Sequence, residues 1–170
     1  MKVAKASVAL SGDSVVAVGS TTKLTTTKKA SSRAKITYTS SDDTIATVSE
    51  DGTVKGVKAG KATITAKLVI GKDTATATQE VEVKKAILKS ADQTEYNKIE
   101  AVIVGDTKDI KPADVKITNT ATKATVAVKS ISAKKGAENT YVIETFTGMT
   151  DAKEYSVEYA GSTCLLYTSP

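Results

Sequence analysis

The sequence predicts an all-β fold arranged as two consecutive β-sandwich domains, and three observations lead to this fold class. Hydrophobic residues make up 40% of the 170 residues, whereas aromatic residues make up only 4%. Thr, Val and other β-branched residues are abundant instead, and they suit the pleated, half-buried surface of a strand. Short runs alternate between apolar and polar residues, and turn-forming residues separate these runs at the close intervals typical of sandwiches and barrels.

The first half of the chain divides into short strands separated by turns. The clearest strand alternates the apolar residues Ala62, Ile64, Ala66 and Leu68 with polar ones, which predicts one buried and one exposed face. The full set of strands expected in this half covers residues 6–10, 15–18, 22–27, 36–39, 45–48, 53–57, 62–68 and 75–83.

Glycines and charged residues define the turns of the first half. Asp51-Gly52 favours a tight hairpin, because this pair tolerates positive φ angles. Gly56 interrupts the returning strand, as it would at a bulge or at a close approach of two backbones. Residues 28–34 are polar and basic, and we expect them to form a loop.

The second half is also predicted to be β. Its expected strands cover residues 87–88, 98–104, 115–118, 124–130, 140–145 and 154–159, with room for one helical turn within residues 109–115. Tyr155, Val157 and Tyr159 alternate with polar residues, so they should share the buried face of the last strand. Residues 84–86 are the predicted boundary, which gives domains at residues 1–85 and 86–163.

The last seven residues break the pattern of the chain, because they hold its only Cys and one of its two Pro residues. Their sequence, Cys-Leu-Leu-Tyr-Thr-Ser-Pro at 164–170, resembles one translated frame of a sequencing-library transposase adapter. We therefore treat residues 164–170 as a non-native tail and leave them out of the predicted fold. The native sequence after Thr163 is then not represented. The alternative is a genuine final strand at residues 165–168.

The first domain resembles the bacterial group 2 immunoglobulin-like (Big2) domain of surface proteins. The resemblance covers residues 6–84 and is strongest within residues 36–66. It is carried by Thr-Tyr-Thr-Ser-Ser-Asp at 37–42, Ile-Ala-Thr-Val at 45–48, Asp-Gly-Thr-Val at 51–54 and Ala-Gly-Lys-Ala-Thr-Ile-Thr at 59–65. One departure is Tyr38, where the family often has Trp, and a buried Tyr hydroxyl needs a hydrogen-bond partner.

The second domain resembles an Ig-like module of bacterial S-layer proteins over residues 86–160. The resemblance is carried by Met-Thr-Asp-Ala-Lys-Glu-Tyr-Ser-Val at 149–157, which is similar to the closing strand of those modules. Together the two resemblances imply a pair of tandem immunoglobulin-like β-sandwich domains. They also imply an extracellular protein of the bacterial cell surface or cell wall, with an export signal upstream of this fragment.

The residue types present exclude several classes of catalytic site. The chain has no His, so a Ser-His-Asp site, a Cys-His site and a Cys/His zinc site are all excluded. No Gly-rich phosphate-binding motif is present either. We therefore predict no enzymatic activity, no catalytic residue and no cofactor.

The charge of the chain is uneven. Residues 1–85 carry 14 Lys and Arg against 8 Asp and Glu, a net charge of +6, whereas residues 86–170 carry 10 against 11, a net charge of −1. Arg33 is the only Arg, so the bidentate contacts that favour nucleic acid are missing, and we expect no nucleic-acid partner. The candidate contacts to an anionic polymer are Lys28, Lys29, Arg33 and Lys35.

A cluster of carboxylates offers one alternative site. Asp42, Asp43, Glu50 and Asp51 flank one hairpin, and oxygen-rich loops can hold Ca²⁺. Their spacing matches no dedicated calcium loop, and turn chemistry accounts for Asp42 and Asp51 without a metal. We therefore predict no metal site.

Two functional hypotheses follow. The first is a non-catalytic structural spacer in a cell-surface or S-layer-associated protein, whose partners are neighbouring Ig-like domains of the same longer chain. The second is an adhesive or carbohydrate-binding module that contacts a cell-wall polymer or host glycan, or an accessory domain of a secreted hydrolase. No segment is long and apolar enough for direct membrane insertion.

Overall fold

The computed structural model describes residues 6–30, 34–149 and 154–168. The chain forms two compact units that divide between Lys85 and Ala86. Regular structure in both units is almost entirely β, which confirms the predicted all-β fold class. No helix among the described residues has the length and apolar character needed to cross a membrane.

The first unit is a sandwich in which one continuous run, residues 21–29, supplies strands to two different sheets. Its strands are β1 (Ser7–Ser11), β2 (Val15–Ala17), β3 (Thr21–Lys23), β4 (Thr25–Lys29), β5 (Lys35–Ser40), β6 (Ala46–Val48), β7 (Thr53–Gly56), β8 (Gly60–Ile70) and β9 (Asp73–Lys84). They form the sheets β2-β9-β8-β5, β3-β7-β6 and β1-β4. Only Leu24 separates β3 from β4, so the predicted strand at residues 22–27 is split between two partners.

The core of the first unit lies under β8, whose alternation is confirmed. Ala62, Ile64, Ala66 and Leu68 are each 2% exposed or less, while Lys67 between them is exposed. Ala62 and Ile64 form one buried cluster with residues from the rest of the unit, namely Val16, Leu24, Ala46, Val54, Val81 and Val83. The fully buried side chains of this unit are therefore aliphatic, as the scarcity of aromatic residues required.

The hairpin between β6 and β7 is hydrogen-bonded to Leu24, the residue that separates β3 from β4. Gly52 has a φ of +83°, which is the left-handed conformation that the Asp51-Gly52 turn was predicted to need. The Leu24 amide donates a hydrogen bond to the Gly52 carbonyl at 3.0 Å. The Leu24 side chain itself is only 1% exposed, so the residue that interrupts the strand also fills the core.

The Tyr38 side chain connects the sheet β1-β4 to the sheet that contains β5. Its Oη atom lies 2.5 Å from Oγ1 of Thr26, which belongs to β4, whereas Tyr38 belongs to β5. The half-buried phenol therefore has the hydrogen-bond partner that its position required.

The second unit is built from two four-stranded sheets. Its strands are β10 (Ala86–Glu95), β11 (Lys98–Gly105), β12 (Val115–Asn119), β13 (Thr125–Val126), β14 (Val128–Ala133), β15 (Thr140–Thr145), β16 (Glu154–Tyr159) and β17 (Ser162–Tyr167). The sheet orders are β10-β11-β15-β14 and β13-β12-β16-β17. A 3-10 turn at Pro112–Asp114 is the only helical element described, within the predicted residues 109–115.

Two strands of the second unit differ from the sequence prediction. β10 extends over ten residues rather than residues 87–88, because a register shift between Leu88 and Ser90 changes which residues face inward. Leu88 and Ala91 are both buried, three positions apart, so the period of two is broken. The predicted strand at residues 124–130 is divided at Ala127, where the chain leaves one sheet and enters the other.

The C-terminal residues also differ from the expectation, because residues 164–167 belong to β17. This strand pairs antiparallel with β16, and Leu166 is only 2% exposed within the core of the second unit. Cys164 Sγ lies 3.7 Å from the carbonyl oxygen of Leu88 in β10. Tyr155, Val157 and Tyr159 of β16 are buried as predicted. The adapter origin of the tail sequence stays a prediction.

Gly56 provides a test of the packing of the first unit. A Cβ atom at this position would lie 2.6 Å from the Ala17 carbonyl oxygen and 2.9 Å from Cγ1 of Val83. We therefore expect Gly56→Ala to destabilise the first unit by about 1–3 kcal/mol, because the backbone of β2 must move away. Amide hydrogen exchange of β8 and β9 would measure the loss.

Gly71→Asn is the matched control for this substitution. Gly71 has open space around it and a φ of +58°, a conformation that Asn tolerates. It should leave exchange of β8 and β9 close to that of the parent. Equal protection in the Gly56→Ala variant would contradict the close approach of β2 and β7.

Candidate binding surfaces

Three of the four predicted polymer contacts lie at one end of the first unit. Lys28 and Lys29 close β4, Lys35 opens β5, and all three side chains are exposed. Lys29 and Lys35 are six residues apart, so their Cα atoms are separated by about 22 Å at most. Arg33 lies outside the described residues. None of these three lysines has an ion pair among the described residues, so their charges face solvent without local compensation.

The two lysines that end β4 do not share one face. Successive side chains of a strand point to opposite faces, so Lys28 and Lys29 diverge. Their register partners in β1 are Val8 and Ser7. Lys35 belongs to the other sheet, where it pairs with Val69. The structure therefore brings these residues to one end of the sandwich without forming a single binding pocket.

The solvent face of β5, β8 and β9 extends the basic surface. Thr37 pairs with Lys67, and Lys67 pairs with Thr76, so a second lysine lies one row below Lys35 on the same face. The next row is formed entirely by threonines, namely Thr39, Thr65 and Thr78. Lys67 has no ion pair among the described residues. The sequence analysis did not name Lys67 as a candidate contact, although the alternation of β8 places this residue on the exposed face.

The carboxylates of the candidate calcium cluster are engaged in turns. Asp42 Oδ1 accepts hydrogen bonds from the Thr44 hydroxyl at 2.6 Å and the Thr44 amide at 2.9 Å. These bonds hold the pKa of Asp42 below its ordinary value. The carboxylate therefore caps its own turn, which is a structural role for an Asp at this position.

Asp51 is the most strongly bonded carboxylate of the hairpin. It accepts hydrogen bonds from the hydroxyls of Ser49 at 2.5 Å and Thr53 at 2.9 Å, and from the Thr53 amide at 3.1 Å. Lys23 Nζ lies 3.0 Å from its Oδ2 atom. The Ser49 hydroxyl first, and then Lys23 and Thr53, hold the pKa of Asp51 well below its ordinary value. Within the residues that the structure describes, no three acidic or Cys side chains group closely enough to hold a metal ion.

A shallow groove of about 490 Å³ lies on the second unit, between the 3-10 turn and the strands β12 to β14. Its walls include Pro112, Ala113, Val126 and Val128, with Lys116 as the charged residue. A groove lined mainly by small aliphatic side chains supplies few polar groups to orient a ligand. It is therefore a weaker candidate than the exposed surfaces.

The bonding of Asp51 predicts a pH-dependent contribution to stability. The folded pKa lies below the ordinary value of 3.8, so the ionised form stabilises the fold above that pH, and this contribution disappears as the pH falls below it. We expect Asp51→Asn to lower the melting temperature at pH 7, and the difference from the parent to shrink below pH 3.8. Differential scanning calorimetry across this range would check the expectation.

Asp43→Asn is the control for the Asp51 variant, because the Asp43 side chain is exposed and has no hydrogen bond to any residue that the structure describes. This control should melt like the parent at every pH. A difference between parent and Asp51→Asn that stays constant from pH 7 to pH 2.5 would rule out the proposed linkage.

The comparisons begin with solved structures. The chain is similar to the N-terminal part of the bacterial S-layer protein SbsC, with 14% identity, a TM-score of 0.43, and coverage of 50% of this chain and 24% of that one. It is similar to the Group B Streptococcus pullulanase SAP, with 18% identity, a TM-score of 0.41, and coverage of 49% and 10%. It is also similar to domains 4 and 5 of SbsC, with 14% identity, a TM-score of 0.36, and coverage of 98% and 100%.

These structural similarities carry no functional argument, because every TM-score is below 0.5. The chain spans only 24% and 10% of the length of the first two structures. No curated protein matches the sequence significantly.

The comparison with protein families identifies the first unit. Residues 5–79 match the family described as "Bacterial Ig-like domain (group 2)". This match includes the whole of residues 36–66, from which the resemblance was predicted. Residues 5–79 are therefore similar to the bacterial Ig-like domains of group 2.

Proposed function

We propose that this chain is a non-catalytic structural module of a bacterial cell-surface or S-layer-associated protein. The observation that carries this proposal is the similarity of residues 5–79 to the group 2 Ig-like domains, in a unit that is followed directly by a second β unit. Only Lys85 lies between the last strand of the first unit and the first strand of the second. The proposed partners are neighbouring Ig-like domains of the same longer chain.

The chemistry of the interior supports a structural role. Both cores are lined by apolar side chains, and every buried side-chain nitrogen or oxygen in the described parts of the chain has a hydrogen-bond partner. A strongly perturbed pKa in a cleft is one signal of a catalytic site. The carboxylates with lowered pKa values in the first unit, Asp42 and Asp51, are explained by turns.

The proposed location is outside the cell, at the bacterial surface or in the cell wall. Brief protease treatment of intact cells that express the full-length gene would test this location. An antibody against the second unit should lose its signal on intact cells, while a cytosolic marker stays protected. Digestion of the chain only after cell lysis would contradict the proposal, as would recovery of the intact chain in the cytosol.

A second candidate function is contact with an anionic cell-wall polymer or host glycan, within the same surface protein or as an accessory domain of a secreted hydrolase. The observation that favours it is a set of exposed lysines, Lys28, Lys29, Lys35 and Lys67, that form no ion pair with any described residue. Uncompensated charge of one sign attracts polymers of the opposite sign, and added salt screens this attraction.

Affinity electrophoresis in gels that contain polygalacturonate would test the second candidate. The parent should be retarded, and the variant with Lys28, Lys29, Arg33 and Lys35 changed to Gln should migrate as in a gel without polymer. A control variant removes equal charge from exposed lysines of the second unit, at Lys89, Lys108, Lys116 and Lys135. Equal loss of retardation in both variants would show a general effect of net charge and would reject the proposed surface.

A further inference from the structure

Two of the few aromatic side chains of this protein are exposed at the same end of the second unit. The chain contains six Tyr, one Phe and no Trp. The side chains of Tyr96 and Phe146 are 65% and 69% exposed. A large aromatic side chain that stays exposed does not gain the free energy that burial would provide. Because this chain has few aromatic residues, the exposure of two of them at one end of a unit requires an explanation.

The strand register brings Tyr96 and Phe146 to neighbouring positions. Lys98 of β11 pairs with Glu144 of β15. Tyr96 belongs to the two-residue turn between β10 and β11, and Phe146 directly follows β15, so both lie at the same end of this sheet. The Thr145 amide donates to the Asn97 carbonyl at 2.9 Å, which continues the pairing between the two strands to this end.

The ring of Tyr96 is held in place by the backbone of the segment that follows β15. A Cβ atom at Gly148 would overlap Cδ1, Cε1 and Cζ of the Tyr96 ring, so the ring occupies the space that only glycine leaves free. The Met149 amide donates to the Tyr96 carbonyl at 2.9 Å, and Met149 itself is buried. The ring is therefore supported from below and open to solvent above, and a ligand that stacks on it orders little that is not already ordered.

Two ion pairs involve residues that lie close to Tyr96 and Phe146 along the chain, and their charges cancel. Lys98 Nζ lies 2.7 Å from Glu95 Oε2, and Lys129 Nζ lies 2.9 Å from Glu144 Oε1. Lys129 lowers the pKa of Glu144, with smaller contributions from the Ser130 hydroxyl and Lys98, so this carboxylate stays ionised at neutral pH. Two cations beside two anions supply donors and acceptors without a net charge.

We propose that Tyr96, Phe146 and these two ion pairs form a binding site for a neutral polysaccharide, which we call the aromatic platform. A pyranose ring presents an apolar face of C–H groups that stacks on an aromatic ring, and its hydroxyls bond to charged groups at the ring edge. An anionic polymer would gain no net electrostatic attraction from a site whose charges cancel. The aromatic platform lies on a different unit from the lysine surface, and its failure would leave the structural role of the chain intact.

Affinity electrophoresis of the whole chain tests this proposal, in separate gels that contain soluble β-glucan, xylan, mannan or polygalacturonate. At least one neutral polysaccharide should retard the parent. This retardation should persist in about 0.5 M salt, because stacking is not screened as charge attraction is. Retardation by polygalacturonate alone would overturn the proposal, as would no retardation by any neutral polysaccharide.

Four variants separate ring stacking from a purely structural role of Tyr96. Tyr96→Ala should weaken binding by about tenfold, and Tyr96→Phe should bind like the parent, since the ring and not the hydroxyl makes the contact. Gly148→Ala keeps the tyrosine but displaces its ring, and should also weaken binding. Tyr167→Ala removes a ring that is 69% exposed on β17 and should have no effect.

The melting temperature of each variant guards against a loss of folding. Gly148→Ala displaces the Tyr96 ring, whereas Tyr96→Ala removes it. Loss of binding in both variants, with a melting temperature of the second unit equal to that of the parent, supports the aromatic platform. If Tyr96→Ala lowers the melting temperature while binding of the folded protein stays unchanged, Tyr96 only covers the backbone and the proposal is wrong.

Discussion

The absence of large aromatic side chains from the core of the first unit is the constraint on which its structure depends. Ala46, Ala62 and Ala66 are fully or almost fully buried, so the main chain must come close where bulkier side chains would hold it apart. The approach of Gly56 to Ala17 is one result, and the burial of Leu24 beneath the Asp51-Gly52 hairpin is another. In such a core each small residue is fixed by its neighbours, because little space remains for adjustment.

Much of the fold could be predicted for strands that have one face exposed to solvent and the other face buried. The alternation of Ala62, Ile64, Ala66 and Leu68 placed β8 correctly, and Asp51-Gly52 placed the hairpin, since both signals are local. The errors arose where pairing partners change within a run of similar residues. Leu24 and Ala127 look like ordinary strand residues, but each marks a transfer between sheets, which depends on contacts distant in sequence.

For the candidate binding surfaces too, some features could be predicted from the local sequence pattern, and others depend on contacts between residues that are distant in sequence. Lys67 could have been assigned to the exposed face with Lys35 from the period of β8 alone. The exposure of Tyr96 could not be predicted in this way, because it depends on Gly148 and on the path of the chain after β15. The sequence shows only that aromatic residues are few, whereas the folded chain places two of its seven aromatic rings at one exposed end of a sheet.

The hydroxyl contact between Tyr38 and Thr26 has a consequence for optical spectroscopy. Tyr38 is the one aromatic residue in positions 1–85, and the other six lie in positions 86–170. Tyrosine absorbance and fluorescence of the whole chain therefore report mainly on the second unit. A difference signal assigned to Tyr38 would instead observe a single bond between β4 and β5, and it would give the first unit an intrinsic chromophore that responds when the sheet β1-β4 separates from the sheet that contains β5.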